Sequence, residues 1–327
     1  MSEYKGIKGA KVRNYTSDPD NPLEGQVWYN DTTGALRVGE LDLSAWSTGG
    51  NMNTARSGLG GGAGTLQTAA LGFGGSTPAN TGATESYNGT AWTEVNDLNT
   101  PRNGHAGSKA GSNTAALAFG GFNPPTSILG VTETWNGSSW TEVNDLNTAR
   151  RLFAGAGTNT AGLAFGGSTN IPPNVGPTGA TETWNGSSWT EVNDLNTDRL
   201  SLTGTGTNTA ALAVSTVTEQ WNGSSWTEIN DLNTLKTESS SAGTVTSGLV
   251  YGGLAQPPGS VTATNESFNG TSWTEEADLT TGRFGAGGAG TGTAALAFGG
   301  GTPGRVASTE EWNTGTGGVV GRTVTTD

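Results

Sequence analysis

A tryptophan followed by Thr or Ser recurs at Trp46, Trp92, Trp140, Trp189, Trp226 and Trp273, at spacings of 46, 48, 49, 37 and 47 residues. The order of features between these landmarks is largely constant. An Arg or Lys precedes a run of small residues, then comes an apolar run that usually ends in Gly-Gly. A Glu-x-aromatic strand follows, then a turn and, in most units, the next landmark. In the unit from Ala149, the stretch to Thr158 is rich in Gly and Ala and reads as a slim strand. Thr160 to Phe165 is short and mostly apolar and ends at Gly166-Gly167, where a turn without Cβ strain is available. Ala180 to Trp184 is the third strand, Asn185-Gly186 the hairpin turn, and Trp189 to Val192 the fourth strand.

Four strands this short cannot bury their own faces, so each sheet must lean on the sheets before and after it. A period near 47 with a four-strand grammar predicts an all-β chain whose sheets are β-propeller blades. Helical repeats fit poorly because Gly, Thr and Asn saturate every interval. A parallel β-helix competes, but its period is usually shorter and it needs no four-strand grammar.

Counting predicts six blades. Inner strands begin near Arg56, Arg102, Arg150, Arg199, Lys236 and Arg283, and second strands end near Phe73, Phe119, Phe165, Val214, Tyr251 and Phe298. Third strands centre on Tyr87, Trp135, Trp184, Trp221, Phe268 and Trp312. No landmark Trp follows Trp312, whereas Ala45 to Thr48 precedes the first inner strand. Trp46 is therefore expected to complete the last blade and close the circle, which removes exposed strand edges. The tail with Val319, Val320 and Val324 is a rival closing strand, and a composite seventh blade is disfavoured because no seventh inner strand is evident. The expected division is an arm and hairpin over 1–44 and a propeller over 45–327. In the arm, Thr16 to Pro22 is rich in turn formers. Gln26 to Tyr29 and Ala35 to Val38 read as a hairpin around Asn30 to Gly34, with Trp28, Tyr29 and Leu36 as candidate anchor residues.

Composition narrows the functions. With 28 acidic against 15 basic residues and a net charge of -13, a broad basic face for nucleic acid or an anionic membrane is not expected. No cysteine is present, so disulfides, thiolate nucleophiles and Cys-ligated zinc are excluded, and the single His105 is too few for a multi-histidine metal site. No cofactor or metal is expected. No catalytic residue is assigned, because no carboxylate cluster stands apart from the repeat. No apolar stretch long enough to cross a membrane occurs, and Met1 to Lys11 lacks the apolar core of a signal peptide.

The once-per-repeat Arg or Lys has two readings: an anion-binding annulus, or pairing with the equally periodic Glu85, Glu133, Glu182, Glu219, Glu266 and Glu310 or with carbonyls where blades meet. The second is favoured, since buried charges need partners. The Asn-Asp-Leu-Asn-Thr phrases beginning at Asn96, Asn144, Asn193 and Asn230 read as connections whose Leu plugs the interface between sheets. The landmark Trp side chains are expected in the core rather than stacked on sugars. The Asn-Gly-Ser/Thr triplets are formally glycosylation acceptors and are read as turns.

Departures from the repeat point to recognition. Insertions between second and third strands carry Phe122, Pro124, Pro125, Ile128 and Leu129 in one repeat, Ile171, Pro172, Pro173 and Val175 in the next, and Leu254, Pro257 and Pro258 in a third. The fourth repeat nearly lacks this loop. Proline-stiffened, partly apolar loops on one face are the candidate partner-binding surface, against the plainer reading of loop variation without a ligand.

Gly120-Gly121, Trp135, Trp140, Leu146 and Arg150 follow the order and Leu-x-x-x-Arg spacing of the kelch family, which the chain resembles over roughly residues 45 to 313. The fourth repeat departs from it at Val214-Ser215. The resemblance implies a propeller used for protein binding, sugar binding or, occasionally, copper oxidation. The last needs Tyr, His and Cys side chains and is a poor match. Gly25 to Asn30 with Thr32 to Gly34 looks like a segment of bacteriophage tail-fibre proteins. That likeness implies a non-enzymatic virion protein, a tail-fibre or appendage component. Its partners would be other virion proteins and a host surface glycan or protein. An intracellular kelch-like scaffold and a glycan-processing enzyme are the alternatives.

Overall fold

Each repeat folds as a sheet of four short strands in the computed structural model, which describes residues 12–20, 22–59, 62–125, 127–171, 176–317 and 319–324. No helix forms among the described residues. The chain divides into two compact units, Trp46–Asn313 and the segments on either side of it.

Within Trp46–Asn313, the third sheet runs Ala154–Gly157, Gly162–Phe165, Thr181–Trp184, Trp189–Val192, each strand antiparallel to the last. The first sheet extends from Ala63–Leu66 to Trp92–Val95, the second from Ala106–Gly107 to Trp140–Val143 and the fourth from Thr203–Gly206 to Trp226–Glu228. The fifth runs from Ser240–Thr244 to Trp273–Glu275. The sixth runs Gly287–Gly290, Ala294–Phe298, Thr309–Asn313 and then Ala45–Gly49, so the early Trp46 strand does stand beside the strand of Trp312.

Hydrophobic burial is divided among six clusters, each shared by two successive sheets. Phe119 and Ala106 of the second sheet join Ala164, Trp184 and Trp189 of the third, while Ala289, Leu296 and Phe298 of the sixth join Ala70, Tyr87 and Trp92 of the first. The small inner strands are a packing requirement. A Cβ on Gly155 would lie 2.6 Å from the Phe119 ring and 2.7 Å from the Gly107 carbonyl oxygen. The landmark indoles also bridge sheets: Trp140 donates to Thr84 at 3.1 Å, Trp189 to Thr132 at 3.0 Å, Trp226 to Thr181 at 3.2 Å and Trp92 to Thr309 at 2.9 Å. The position answering to those threonines is Asn265 in the fifth sheet, and there the Trp46 indole N–H and the Asn265 Oδ1 are both buried without a partner. All six landmark Trp are buried.

Six backbone hydrogen bonds link corresponding residues of the six repeats. Gly104 donates to Gly58, Leu152 to Gly104, Ser201 to Leu152, Glu238 to Ser201, Gly285 to Glu238, and Gly58 back to Gly285, at 2.7 to 3.1 Å. All six have positive φ, between 52° and 66°, including the non-glycine Leu152, Ser201 and Glu238. A left-handed backbone costs such residues energy; here it is held by a hydrogen bond on each side.

The periodic basic residues pair with the periodic glutamates, all buried: Arg56–Glu85 at 3.1 Å, Arg102–Glu133 at 2.7 Å, Arg150–Glu182 at 2.6 Å, Arg199–Glu219 at 3.0 Å, Lys236–Glu266 at 3.6 Å and Arg283–Glu310 at 2.5 Å. Each pair lies within one repeat rather than between two. The second carboxylate oxygen accepts N–H groups from the incoming connection, as Glu182 does from Asn147 at 2.8 and 2.9 Å. In that phrase Leu146 is buried and Asp145 accepts from the Thr132 N–H at 3.2 Å. The five arginines therefore do not mark strand starts: Arg150 lies in the approach to a strand that begins at Ala154.

Lys236 meets the Thr264 carbonyl at 3.0 Å and Glu266 with a single nitrogen, where the arginines use two. Burial lowers its pKa to about 8, an effect the Glu266 charge opposes. Lys236→Arg is expected to restore the forked contact and raise stability by about 1 kcal/mol. The check is a calorimetric melting temperature about 2–4 °C higher.

In the second unit, Arg13–Tyr15, Val27–Asn30, Ala35–Leu41 and Val319–Thr323 form one sheet in that order. The expected hairpin is present, with Tyr29 opposite Leu36 and the Asn30 Oδ1 accepting the Thr32 and Thr33 N–H groups. Asp18 accepts from Asn30, Trp28 and Arg37, and these bonds, Asn30 foremost, hold its carboxyl below the usual range. The tail supplies no closing strand to the repeats, because Val319 pairs with Leu41. The domain expected over 45–327 therefore stops at Asn313, and 314–327 belongs with the first 45 residues. The extended backbone of Ala35–Leu41 offers the tail an edge, whereas Trp46 already occupies the edge of the sixth sheet.

Candidate functional site

In five of the six repeats the segment before the inner strand pairs with the start of an insertion: Ser57 with Ser76, Asn103 with Phe122, Arg151 with Ser168, Lys236 with Ala255 and Phe284 with Gly301. The insertions thus lie at the same end of their sheets as the six-residue hydrogen-bond cycle. There, Ser76, Pro78, Asn80, Asn103, Pro124 and Arg305 line a groove of about 560 Å³.

Its chemistry is polar and neutral apart from one cation. The exposed Arg305 donates through Nε and one terminal nitrogen to Ser76 Oγ at 3.2 and 3.0 Å. Asn80 donates to the Phe122 carbonyl at 2.6 Å, fixing its amide. Proline rings flank these groups. Fixed amides, a planar guanidinium and apolar ring faces match a ligand that alternates hydroxyl edges with C–H faces. No carboxylate is among the described residues that line it. Among the described residues no group of three or more His, Cys, Asp or Glu could hold a metal ion.

The insertion residues named from the sequence are dispersed. Phe122, Ile128 and Leu129 do not form an irregular loop. Ala116–Asn123 and Ser127–Trp135 run on as a hairpin in which Phe122 faces Ile128 and Gly121 faces Leu129. The Phe122 ring is half-buried under the Arg151 guanidinium, whose carbon lies 5.1 Å from the ring centre, and burial lowers the pKa of Arg151. Pro124 reaches the groove, while Pro125 is exposed at the hairpin tip. Leu254 is half-buried in a small sheet with Lys236–Thr237 and Ser260–Val261, and Pro257 and Pro258 are exposed at its turn. Ile171 is exposed, and Pro172, Pro173 and Val175 lie outside the described residues.

The anchor set divides too. Tyr29 and Leu36 are exposed and adjacent across the hairpin, but Trp28 is fully buried and bonded to Asp18, which removes it from any contact surface. Strand alternation explains this: Trp28 and Asn30 face inward, Val27 and Tyr29 outward.

Sequence reasoning missed Asn80 and Arg305. Both sit in short insertions, of the first and sixth repeats, that carry a proline after Gly-Gly. Pro78 and Pro303 were the available signal.

No protein-family model matches this chain, and no curated protein sequence matches it. A solved structure described as "Structure of YjhT" is similar with a TM-score of 0.68 at 10% identity, covering 83% of this chain and 99% of that one. The likeness is one of fold. With the four-stranded antiparallel sheets, it supports an all-β, β-propeller-like architecture.

Proposed function

We propose that Trp46–Asn313 is a six-bladed, kelch-like β-propeller closed by the Trp46 strand, and that the protein is a non-enzymatic attachment component of a virion, part of a tail fibre or appendage. The six shared clusters and the hydrogen-bond cycle that returns from Gly285 to Gly58 support the blade number and closure. The resemblance of Gly25 to Asn30 to tail-fibre segments supports the virion setting, and the exposed Tyr29–Leu36 pair suits docking on a neighbouring virion subunit.

The observation that carries the recognition reading is the insertion-face groove, whose Arg305 and Asn80 are held in place by Ser76 and Phe122. A host surface glycan fits its neutral polar lining and proline faces. Arg305→Ala combined with Asn80→Ala is expected to cut attachment of particles to host cells about tenfold, on the scale of two lost polar contacts, with the melting temperature unchanged. Deleting residues 1–44 is expected to remove the protein from purified particles. Undiminished attachment by the double variant would sink the groove, and undiminished incorporation the anchor.

A further inference from the structure

Directly after the six cycle residues come Leu59, His105, Phe153, Leu202, Ser239 and Ala286, one from each repeat. These six line two successive cavities. The outer one, about 90 Å³, is bounded by the cycle residues themselves and includes Glu238. The inner one, about 60 Å³, is bounded by Lys109, Ala154, Gly155, Thr203 and Gly204 of the inner strands. Both exceed the roughly 10–15 Å³ that one water requires.

The inner chamber collects donors without acceptors of matching charge. Lys109 makes one long hydrogen bond, 3.4 Å to the Gly288 carbonyl, and no ion pair among the described residues. Ser239 Oγ and both ring nitrogens of His105 are buried without a partner, and His105 is 2% exposed. Burial, then the Arg102 charge, hold the His105 pKa well below its ordinary value against the opposing pull of the Phe73 carbonyl, so the ring is neutral and adds no charge to the chamber. Burial brings Lys109 down to about 8, which leaves an ammonium at neutral pH. No carboxylate lines this chamber; Glu238 borders the outer cavity, where burial raises its pKa toward the uncharged form. Lys109 is half-buried, and no carboxylate in the wall supplies its ammonium with a counter-charge.

We infer that the inner chamber binds one small anion, a halide or a carboxylate no larger than acetate, held by the Lys109 ammonium with the Ser239 hydroxyl as a neutral donor. The size of the chamber and the Leu59, Phe153 and Leu202 side chains around its approach exclude anything bulkier. This site is independent of the insertion-face groove.

The test uses the full chain, with sodium formate and sodium bromide as probes. In wild type, either salt at about ten times its dissociation constant should raise the melting temperature by about 3 °C. Lys109→Met should abolish that rise, and Ser239→Ala should weaken binding severalfold. A rise with formate alone marks a carboxylate site, and one with bromide alone a halide site. Crystals soaked in bromide should show an anomalous peak beside Lys109 Nζ if the halide binds. An equal rise in Lys109→Met, or no rise with either salt in wild type, overturns the inference. If Lys109→Met does not fold, undiminished binding by Ser239→Ala together with no bromide peak in wild type overturns it as well.

Discussion

Glu133→Gln is expected to destabilise the protein by about 3–5 kcal/mol. Glu133 and Arg102 are both fully buried. One carboxylate oxygen accepts Arg102 at 2.7 Å, and the other accepts the Asn99 N–H and side-chain amide, both at 2.8 Å. An amide in place of the carboxylate removes the counter-charge and turns an N–H donor toward other donors. Removing both charges with Arg102→Met and Glu133→Met should recover part of the loss, because the buried charges go together while the Asn99 and Thr100 N–H groups lose their acceptor. The control is Glu142, the exposed cross-strand neighbour of Glu133. Glu142→Gln should stay within about 0.5 kcal/mol of wild type. Denaturant unfolding measures all three, and a Glu133→Gln loss as small as that of Glu142→Gln would refute the clamp.

Trp46→Ala tests the proposed closing strand. Trp46 is 7% exposed and packs on Tyr251 with ring centroids 4.8 Å apart and on Trp312 at 5.6 Å. Its loss should cost about 3–5 kcal/mol, comparable with Trp189→Ala, which has no part in closure. The comparison matters because Trp46 joins its sheet from the opposite end of the chain, whereas Trp189 follows Trp184 through a short turn. If the sixth sheet were closed by another segment, Trp46→Ala would fall near the surface range of about 0.5 kcal/mol. The unpartnered Trp46 indole N–H keeps its hydrogen bond out of the accounting.

The repeat units were legible because each depends on short-range chemistry. Asn185-Gly186 forms its turn, with Gly186 at a φ of 94° and the Asn185 side chain accepting the Ser187 and Ser188 N–H groups. The pairing of Arg or Lys with Glu followed from the rule that two charges recurring in step inside an apolar repeat must meet, although the sequence placed it where repeats adjoin and the structure places it within each repeat. The anchor residues were half legible. A hairpin of alternating residues was plain, but which face is buried depends on Asp18, a linker residue whose carboxylate collects Trp28, Asn30 and Arg37.

The site residues were harder to read because neighbourhood among loops is a long-range property. The groove draws on the first, second and sixth repeats, and the largest insertions, which stand out in the sequence, do not decide which loops converge. The positions of the hydrogen-bond cycle share a backbone conformation while their side chains run Gly, Gly, Leu, Ser, Glu and Gly, so no residue pattern announces them.

What the sequence determined alone is the strand grammar, the turns and the pairing of its periodic charges, since all of these follow from side-chain burial and hydrogen bonding repeated at a fixed interval; the choice of Trp46 over the tail beside Trp312 was left to the fold. The tertiary structure decided where the tail from Thr314 onward goes, that Trp28 is interior, and that Lys109, His105 and Ser239 share one chamber. Those outcomes depend on which distant edges and side chains meet once the sheets pack, and a one-dimensional period holds no record of that meeting.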